Sequence, residues 1–252
     1  MKNVLILNDF VSKGKIAARL MASVLAYMDV EVFLLPTAMI ANNFSLSGNA
    51  FLNTNSYIKD CLDNWTRLGF KFDTIFIGYI DDKDQRDLIR DFLENLDYET
   101  TIILDPIMGD DGSLYPGLDD GKIENYKSLL DLADIVIPNE TEAKFLDLDI
   151  DSFKENKKEL IITSSKDEDK DCVKVYGKNE AKIYFDKQDL KVGGSGDLFD
   201  GLFIGYKLKN YDSEAAIDKT CQDIIKILRA NDKDKPGASE VNIEKYLTLI
   251  KG

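Results

Sequence analysis

The stretch Lys191-Val-Gly-Gly-Ser-Gly-Asp-Leu-Phe-Asp-Gly-Leu-Phe-Ile-Gly-Tyr206 sets a glycine-rich turn directly before an apolar helical run. Small residues there leave backbone N–H groups bare in the first turn of a helix, where unpaired donors and the positive end of the macrodipole attract an anion. Asp197 sits in the middle of that anion site. It would repel a phosphate unless it had work there, and the obvious work is to take a proton from a hydroxyl attacking that phosphate. An ordinary glycine turn, with Asp197 as a first-turn helix residue, fits the same letters.

The chain upstream alternates strands and helices. Residues 4–7 form a short apolar run ending at Asn8-Asp9, and residues 15–28 follow with Ile16, Leu20, Val24 and Met28 at helical spacing. A strand over 31–35 stops at Pro36-Thr37. Residues 38–55, amide-rich and polar, read as a long loop of the kind that serves as a functional lid. A helix over 57–68 carries Ile58, Leu62, Trp65 and Leu68 on one side, with Trp65 assigned to the core. Strands over 73–80, 101–104, 134–137 and 160–163 alternate with helices over 83–96 and 123–132 and one opening at Pro138-Asn-Glu-Thr-Glu142. Then the rhythm changes, with a hairpin over 172–176 and 181–185, followed by helices over 197–208, 213–230 and 239–250.

Such alternation predicts an α/β fold with a central, mostly parallel sheet flanked by helices on both faces, and ligands bound beyond the carboxyl ends of its strands. Asn8, Asp9, Thr37, Tyr79, Asp105, Asp110, Asn139, Glu142 and Thr163 all fall at or just after such ends, so they should share one rim. There Asp110 and Glu142, with Asn139, are oxygen donors suited to Mg²⁺. Gly194, Ser195 and Gly196 supply an N–H cradle, and Asp197 the base. Singly, each has a plainer explanation: Asn139 and Glu142 also spell a capping box, and Asp110-Asp111-Gly112 a loop tip.

With 252 residues, and neither an internal repeat nor a Pro/Ser-rich linker, the chain reads as one domain. A net charge of −14 argues against nucleic acid or an anionic membrane as partner, and obliges any polyphosphate site to find local compensation. Three widely spaced cysteines and no histidine disfavour both a disulfide framework and zinc. No apolar run reaches membrane-spanning length, and the opening residues read as a buried strand of a cytoplasmic protein.

The motifs resemble the ribokinase-like superfamily, and within it the pyridoxal kinases of the Gram-positive bacterial type. Asp105-Pro-Ile-Met-Gly-Asp-Asp-Gly-Ser-Leu-Tyr115 is similar to that family's Asp-Pro-Val-Met-Gly-Asp-Asn-Gly-x-Leu-Tyr, and Ile137-Pro-Asn-Glu-Thr-Glu-Ala143 to its Thr-Pro-Asn-x-x-Glu-Ala. Gly194-Ser-Gly-Asp197 is similar to Gly-Thr-Gly-Asp, while Leu35-Pro-Thr-Ala38 and Phe76-Ile-Gly-Tyr-Ile80 match in order. The resemblance implies ATP-dependent phosphorylation of the 5′-hydroxymethyl of a B6 vitamer by a protein that usually dimerises. It implies Asp197 as base and Gly194, Ser195 and Gly196 as anion hole. Asp110, Asn139 and Glu142 would serve Mg-ATP, and Thr163 with Ser164 the phosphates; a monovalent cation such as K⁺ is a further expectation. Asn8, Asp9, Thr37 and Tyr79 would line the pyridine pocket. Two loops depart from the family, Phe10-Val-Ser-Lys-Gly14 and Ala41-Asn-Asn-Phe-Ser45. Those departures leave open a hydroxymethylpyrimidine or other small-alcohol kinase, or a non-catalytic vitamer-binding homologue. In hydroxymethylpyrimidine kinases a cysteine typically follows the Gly-Thr-Gly, so Asp197 weighs against that rival.

Overall fold

A computed structural model describes residues 1–42, 50–188, 190 and 192–250. Eleven strands and nine α-helices occur among them: β1 (Lys2–Lys13), α1 (Ala17–Tyr27), β2 (Val30–Asn42), β3 (Phe51–Asn53), α2 (Asn55–Leu68), β4 (Thr74–Ile77), α3 (Lys83–Glu94), β5 (Thr101–Leu104), β6 (Gly109–Asp110), β7 (Ser113–Leu114), α4 (Asp120–Lys127), β8 (Ile135–Val136), α5 (Glu140–Leu146), α6 (Ile150–Glu155), β9 (Glu159–Asp167), β10 (Lys170–Tyr176), β11 (Glu180–Tyr184), α7 (Ser195–Leu208), α8 (Ser213–Asp234) and α9 (Ile243–Tyr246). The main sheet has the order β11-β10-β9-β8-β5-β4-β1-β2-β3. Its six middle strands, β9 to β2 in that order, are parallel. The antiparallel strands β10 and β11 close one edge and β3 the other.

Side chains alternate across a strand, so β1 feeds two cores at once. Val4 and Ile6 pack with α1 and α7 on one face, whereas Leu5 and Leu7 pack with residues of α2, α3 and α4 on the other. Burying each such side chain contributes about 1.5–3 kcal/mol, and both faces must be covered for the strands to read as unbroken apolar runs. The register then fixes the functional edge. Leu35, Leu7, Ile77, Leu104, Val136 and Leu160 form one transverse row across the parallel strands. Directly beyond it, Asn8 continues β1, Gly78 follows β4 and Asp105 follows β5.

Several elements differ from the sequence reading. The expected loop over 38–55 is strand at both described ends: β2 continues through Pro36 to Asn42, and β3 pairs back on it, Ala38 with Asn53 and Ile40 with Phe51. Pro36 does not stop the strand because it lies opposite Asn8, immediately before a bulge that slips the β1–β2 register by one residue. A bulge is one of the few places where a strand tolerates proline. Of the departing Ala41–Ser45 segment, residues 43–45 lie outside the described residues, as does Lys191. The terminal helix is short, Ile243–Tyr246 followed by a 3₁₀ turn over Leu247–Leu249, because Ser239 and Glu240 are used otherwise. The Ser239 carbonyl accepts from Gly193 N–H at 2.8 Å, and the Glu240 carboxylate from Lys15 N–H at 3.0 Å, which pins the glycine turn to the start of α1. The three cysteines are free. No helix of the described residues is long and apolar enough to cross a membrane.

Candidate active site

A cavity of about 450 Å³ opens at the carboxyl edge between the β5–α5 segment, β9 and the glycine turn. Asp105, Asp110, Asn139, Glu142, Thr163, Ser164, Gly194, Ser195, Gly196 and Asp197 all line it, so ten residues expected on the rim converge on one space. One end is apolar, walled by Phe185, Leu190, Val192, Phe199, Ile224 and Leu228. Such a volume, with an apolar slot and a polar mouth, suits a heterocycle carrying phosphates.

The glycine turn is built by one backbone requirement. Gly194 is the N-cap of α7 at φ +86°, and a Cβ there would approach Ile16 Cγ2 to 3.0 Å and Leu20 Cδ1 to 3.2 Å. Only glycine meets both demands. No side chain caps α7, and the first intrahelical bond is from Leu198 N–H to the Gly194 carbonyl, which leaves the N–H groups of Ser195 and Gly196 directed out of the helix end.

Asp197 is held from two sides. Its Oδ2 accepts from Ala17 N–H at 2.8 Å and its Oδ1 from the Asn8 amide at 3.5 Å. Ala17 takes the left-handed conformation, φ 54°, at the start of α1. Burial raises the Asp197 carboxyl above its ordinary range, and these two donors oppose the rise, which favours a carboxylate able to accept a proton. Asn8, fully buried, also accepts from Tyr79 N–H at 2.9 Å through Oδ1. A Cβ on Gly78 would stand 2.6 Å from that oxygen, so glycine there admits the amide. Asp9 is pushed up to about 7 by burial and by the charge of Asp197.

On the opposite wall, Asn139 and Glu142 form the capping box that their spacing also allowed. The Asn139 side chain accepts from Thr141 and Glu142 N–H at 2.8 and 3.0 Å and donates to the Gly109 carbonyl at 2.8 Å. Glu142 Oε2 accepts from Asn139 N–H at 2.9 Å, and Oε1 from Met108 and Gly109 N–H at 3.1 and 3.4 Å. Glu142 is 3% exposed, and burial together with Asp105 pushes its carboxyl up to about 8 against those three donors. Asp110, at the tip of the β6–β7 hairpin, is exposed, and among the described residues its side chain accepts only from Asp111 N–H, at 2.9 Å. Ser164, within β9, is exposed and left-handed at φ 53°, and the Thr163 hydroxyl donates to the Pro138 carbonyl at 3.4 Å. No three His, Cys, Asp or Glu side chains converge into a metal cage among the described residues. Mg²⁺ normally takes one or two carboxylates and completes its shell with water and phosphate oxygens, so the all-oxygen donor set at the mouth fits that mode of binding.

A sequence profile of phosphomethylpyrimidine kinases matches residues 23–226. The chain belongs to the phosphomethylpyrimidine kinase family. It is an ATP-dependent phosphotransferase with the ribokinase-like fold. A Schizosaccharomyces pombe protein assigned as a pyridoxal kinase is 27% identical over 231 residues, covering 81% of this chain and 67% of that one. A Bacteroides thetaiotaomicron protein assigned as a phosphomethylpyrimidine kinase and crystallised with pyridoxal superimposes with a TM-score of 0.88 at 25% identity, over 99% of this chain and 95% of that chain. The pyridoxal kinase of Lactobacillus plantarum has the same fold, with a TM-score of 0.90 at 21% identity over 99% and 96% of the two chains.

Of the residues expected to meet the acceptor, Asn8, Asp9, Thr37 and Tyr79 lie outside the kinase cavity proper. Asn8 bridges to it through Asp197. Thr37 is fully buried; its carbonyl accepts from Gln85 at 2.7 Å, and its hydroxyl has no hydrogen-bond partner among the described residues. The Tyr79 ring carries Lys122 Nζ 4.4 Å above its centroid, and that ammonium donates to the Ile80 and Asp81 carbonyls. Neither Lys122 nor Asp200, a carboxyl in the cavity wall, was anticipated from the sequence. Asp200 had a signal: it lies three residues beyond Asp197, on the same helical face.

Because Asp9 and Glu142 bind protons in the fold that the unfolded chain has already released, they stabilise it fully below their ordinary values near 4. That contribution is lost as pH rises through about 7 and about 8. Thermal unfolding of the ligand-free kinase should therefore show a falling midpoint from about pH 5 to about pH 8.5. A rising midpoint across that window would mean that both groups are ionised in the fold.

Proposed function

We propose that the kinase phosphorylates the 5′-hydroxymethyl group of a B6 vitamer. The carrying observation is the double attachment of Asp197, whose carboxylate stands in the wall of the nucleotide-sized cavity while Asn8 ties it to Asp9 in β1 and to Tyr79 beyond β4. A base at that junction lies between donor and acceptor.

In this reading the adenine takes the slot walled by Phe185, Leu190 and Phe199, and the phosphates run toward Thr163, Ser164 and the free N–H groups of Ser195 and Gly196. Asp110 and Glu142 would hold Mg²⁺, Glu142 through a water because both its oxygens already accept backbone bonds. The ion supplies charge neutralisation for the transferring phosphoryl group. That compensation is needed, since Asp105, Asp110, Glu142, Asp186, Asp197 and Asp200 line the described cavity against one cation, Lys187. Asp197 removes the proton from the acceptor hydroxyl, and the helix N-terminus takes the developing charge. Asn8, Asp9, Thr37 and Tyr79 form the acceptor side, with the Tyr79 ring against the pyridine. A K⁺ ion beside the phosphates and a homodimer belong to the same reading. The dimer is supported by the exposed Met39, Phe51 and Leu52 on β2 and β3.

The family profile itself supports a second acceptor, hydroxymethylpyrimidine. ATP consumption by the purified protein with pyridoxal, pyridoxine, pyridoxamine and hydroxymethylpyrimidine separates the two. Turnover with a B6 vitamer well above that with the pyrimidine is expected, and the reverse order would overturn the proposal. ATP consumption with none of the four would make this chain a binder or a kinase of another alcohol.

A further inference from the structure

Lys122, on α4, is an interior lysine with 5% of its surface exposed, four residues before the fully buried Tyr126. That spacing puts both side chains on one face of the helix, and together they grip the backbone of residues 78–81, the segment that leaves β4. The Tyr126 hydroxyl accepts from Ile80 N–H at 3.2 Å and donates to the Gly78 carbonyl at 3.1 Å. The Lys122 ammonium donates to the Ile80 carbonyl, and to the Asp81 carbonyl at 2.8 Å. The same nitrogen stands 4.4 Å from the centre of the Tyr79 ring, whose electron-rich face attracts a cation most strongly where water is excluded. Two carbonyls and one ring face thus match the three donors of an ammonium. Neutral bonds from Tyr126 and Asn8 already fix residues 78–80, so what the ammonium adds is the next two carbonyls and the ring.

We propose that Lys122 is a positioning residue for a flat heteroaromatic acceptor: it holds one face of the Tyr79 ring, so that the other face is a fixed platform on which the acceptor stacks. The inference rests on the reading in which Tyr79 lies against the acceptor ring. Tyr79 is only partly buried, so the ring has surface left to offer. Its N–H donates to Asn8, which also holds Asp197, and neither bond involves Lys122. Removing the ammonium therefore frees the ring while the base and the nucleotide cavity stay in place.

Lys122→Met keeps the stem and removes the charge and the donors. It is compared with Tyr79→Leu and with the double variant, using whichever of pyridoxal and hydroxymethylpyrimidine the wild type turns over. Lys122→Met should raise the KM for the acceptor about tenfold, the scale of one desolvated cation–ring contact, with kcat and ADP affinity nearly unchanged. In the Tyr79→Leu background the same substitution should add almost nothing, because the ring through which it acts is already gone. An unchanged KM, or effects that multiply in the double variant, would overturn the proposal. Where Lys122→Met does not fold, proton NMR of the lysine-labelled wild type and Tyr79→Leu proteins decides. The Lys122 Hε resonances, shielded by the ring, should move downfield in Tyr79→Leu, and that variant should itself raise the acceptor KM; an unmoved resonance or an unchanged KM would sink the inference. A wild type that turns over neither acceptor would defeat the kinase reading on which the inference rests, whereas normal wild-type turnover with an unaltered KM in the variants would defeat the role of Lys122 alone.

Discussion

Asp197→Asn should lower turnover by roughly 10²–10⁴ while leaving nucleotide affinity essentially unchanged. The variant keeps an oxygen that can accept from Ala17 N–H, so the contact that fixes the start of α1 survives. What it loses is the capacity to take a proton. Its new amide would face the Asn8 amide, donor against donor, across a contact that is already long at 3.5 Å, so about one weak hydrogen bond is lost there. Steady-state turnover, ADP affinity and the thermal midpoint must be read together. A large fall in turnover with the other two unchanged assigns Asp197 to proton transfer. Turnover near the wild-type value would remove it from the chemistry, and a lowered midpoint would instead indicate damage at the α1–α7 contact.

The fold was legible because both faces of the parallel strands are buried. Residues 4–7, 74–77 and 101–104 therefore read as unbroken apolar runs, and a polar residue after such a run marks the strand's end. That same rule located Asp105 and Asn139; at Asn8 it marked a site residue but not the strand's end, since β1 runs on to Lys13. It failed at 36–42, where a proline and amides look like a loop but a bulge lets the strand continue as an extension paired only with β1 and β3. The polar wall of the cavity was legible as motifs, because backbone cradles need glycine and helix starts need caps. The apolar slot was not, since Phe185, Ile224 and Leu228 come from a hairpin end and from α8, and no local pattern announces that they face one cavity. Asp200 was hidden for a different reason: within Leu198-Phe-Asp-Gly-Leu202 a single acid passes for the polar face of a helix.

Glu142→Ala should be among the most destabilising substitutions in the chain. Both carboxylate oxygens accept backbone N–H groups, from Asn139, Met108 and Gly109, and those donors would be stranded in the interior. Each stranded donor costs about 1–3 kcal/mol, so a loss of roughly 3 kcal/mol or more is expected by chemical or thermal unfolding. Glu142→Gln keeps one acceptor oxygen and should cost about one hydrogen bond, roughly 1 kcal/mol. The pair of variants separates two roles that sequence spacing could not. If Glu142 only caps α5 and ties down the β6–β7 hairpin, Glu142→Gln should show the wild-type dependence of turnover on Mg²⁺ concentration. If it also holds the ion, through a water, the same variant should need more Mg²⁺ at nearly unchanged stability. Asp110→Asn supplies the complementary measurement: exposed, and accepting from its neighbour's N–H, it should alter the Mg²⁺ dependence with almost no effect on unfolding.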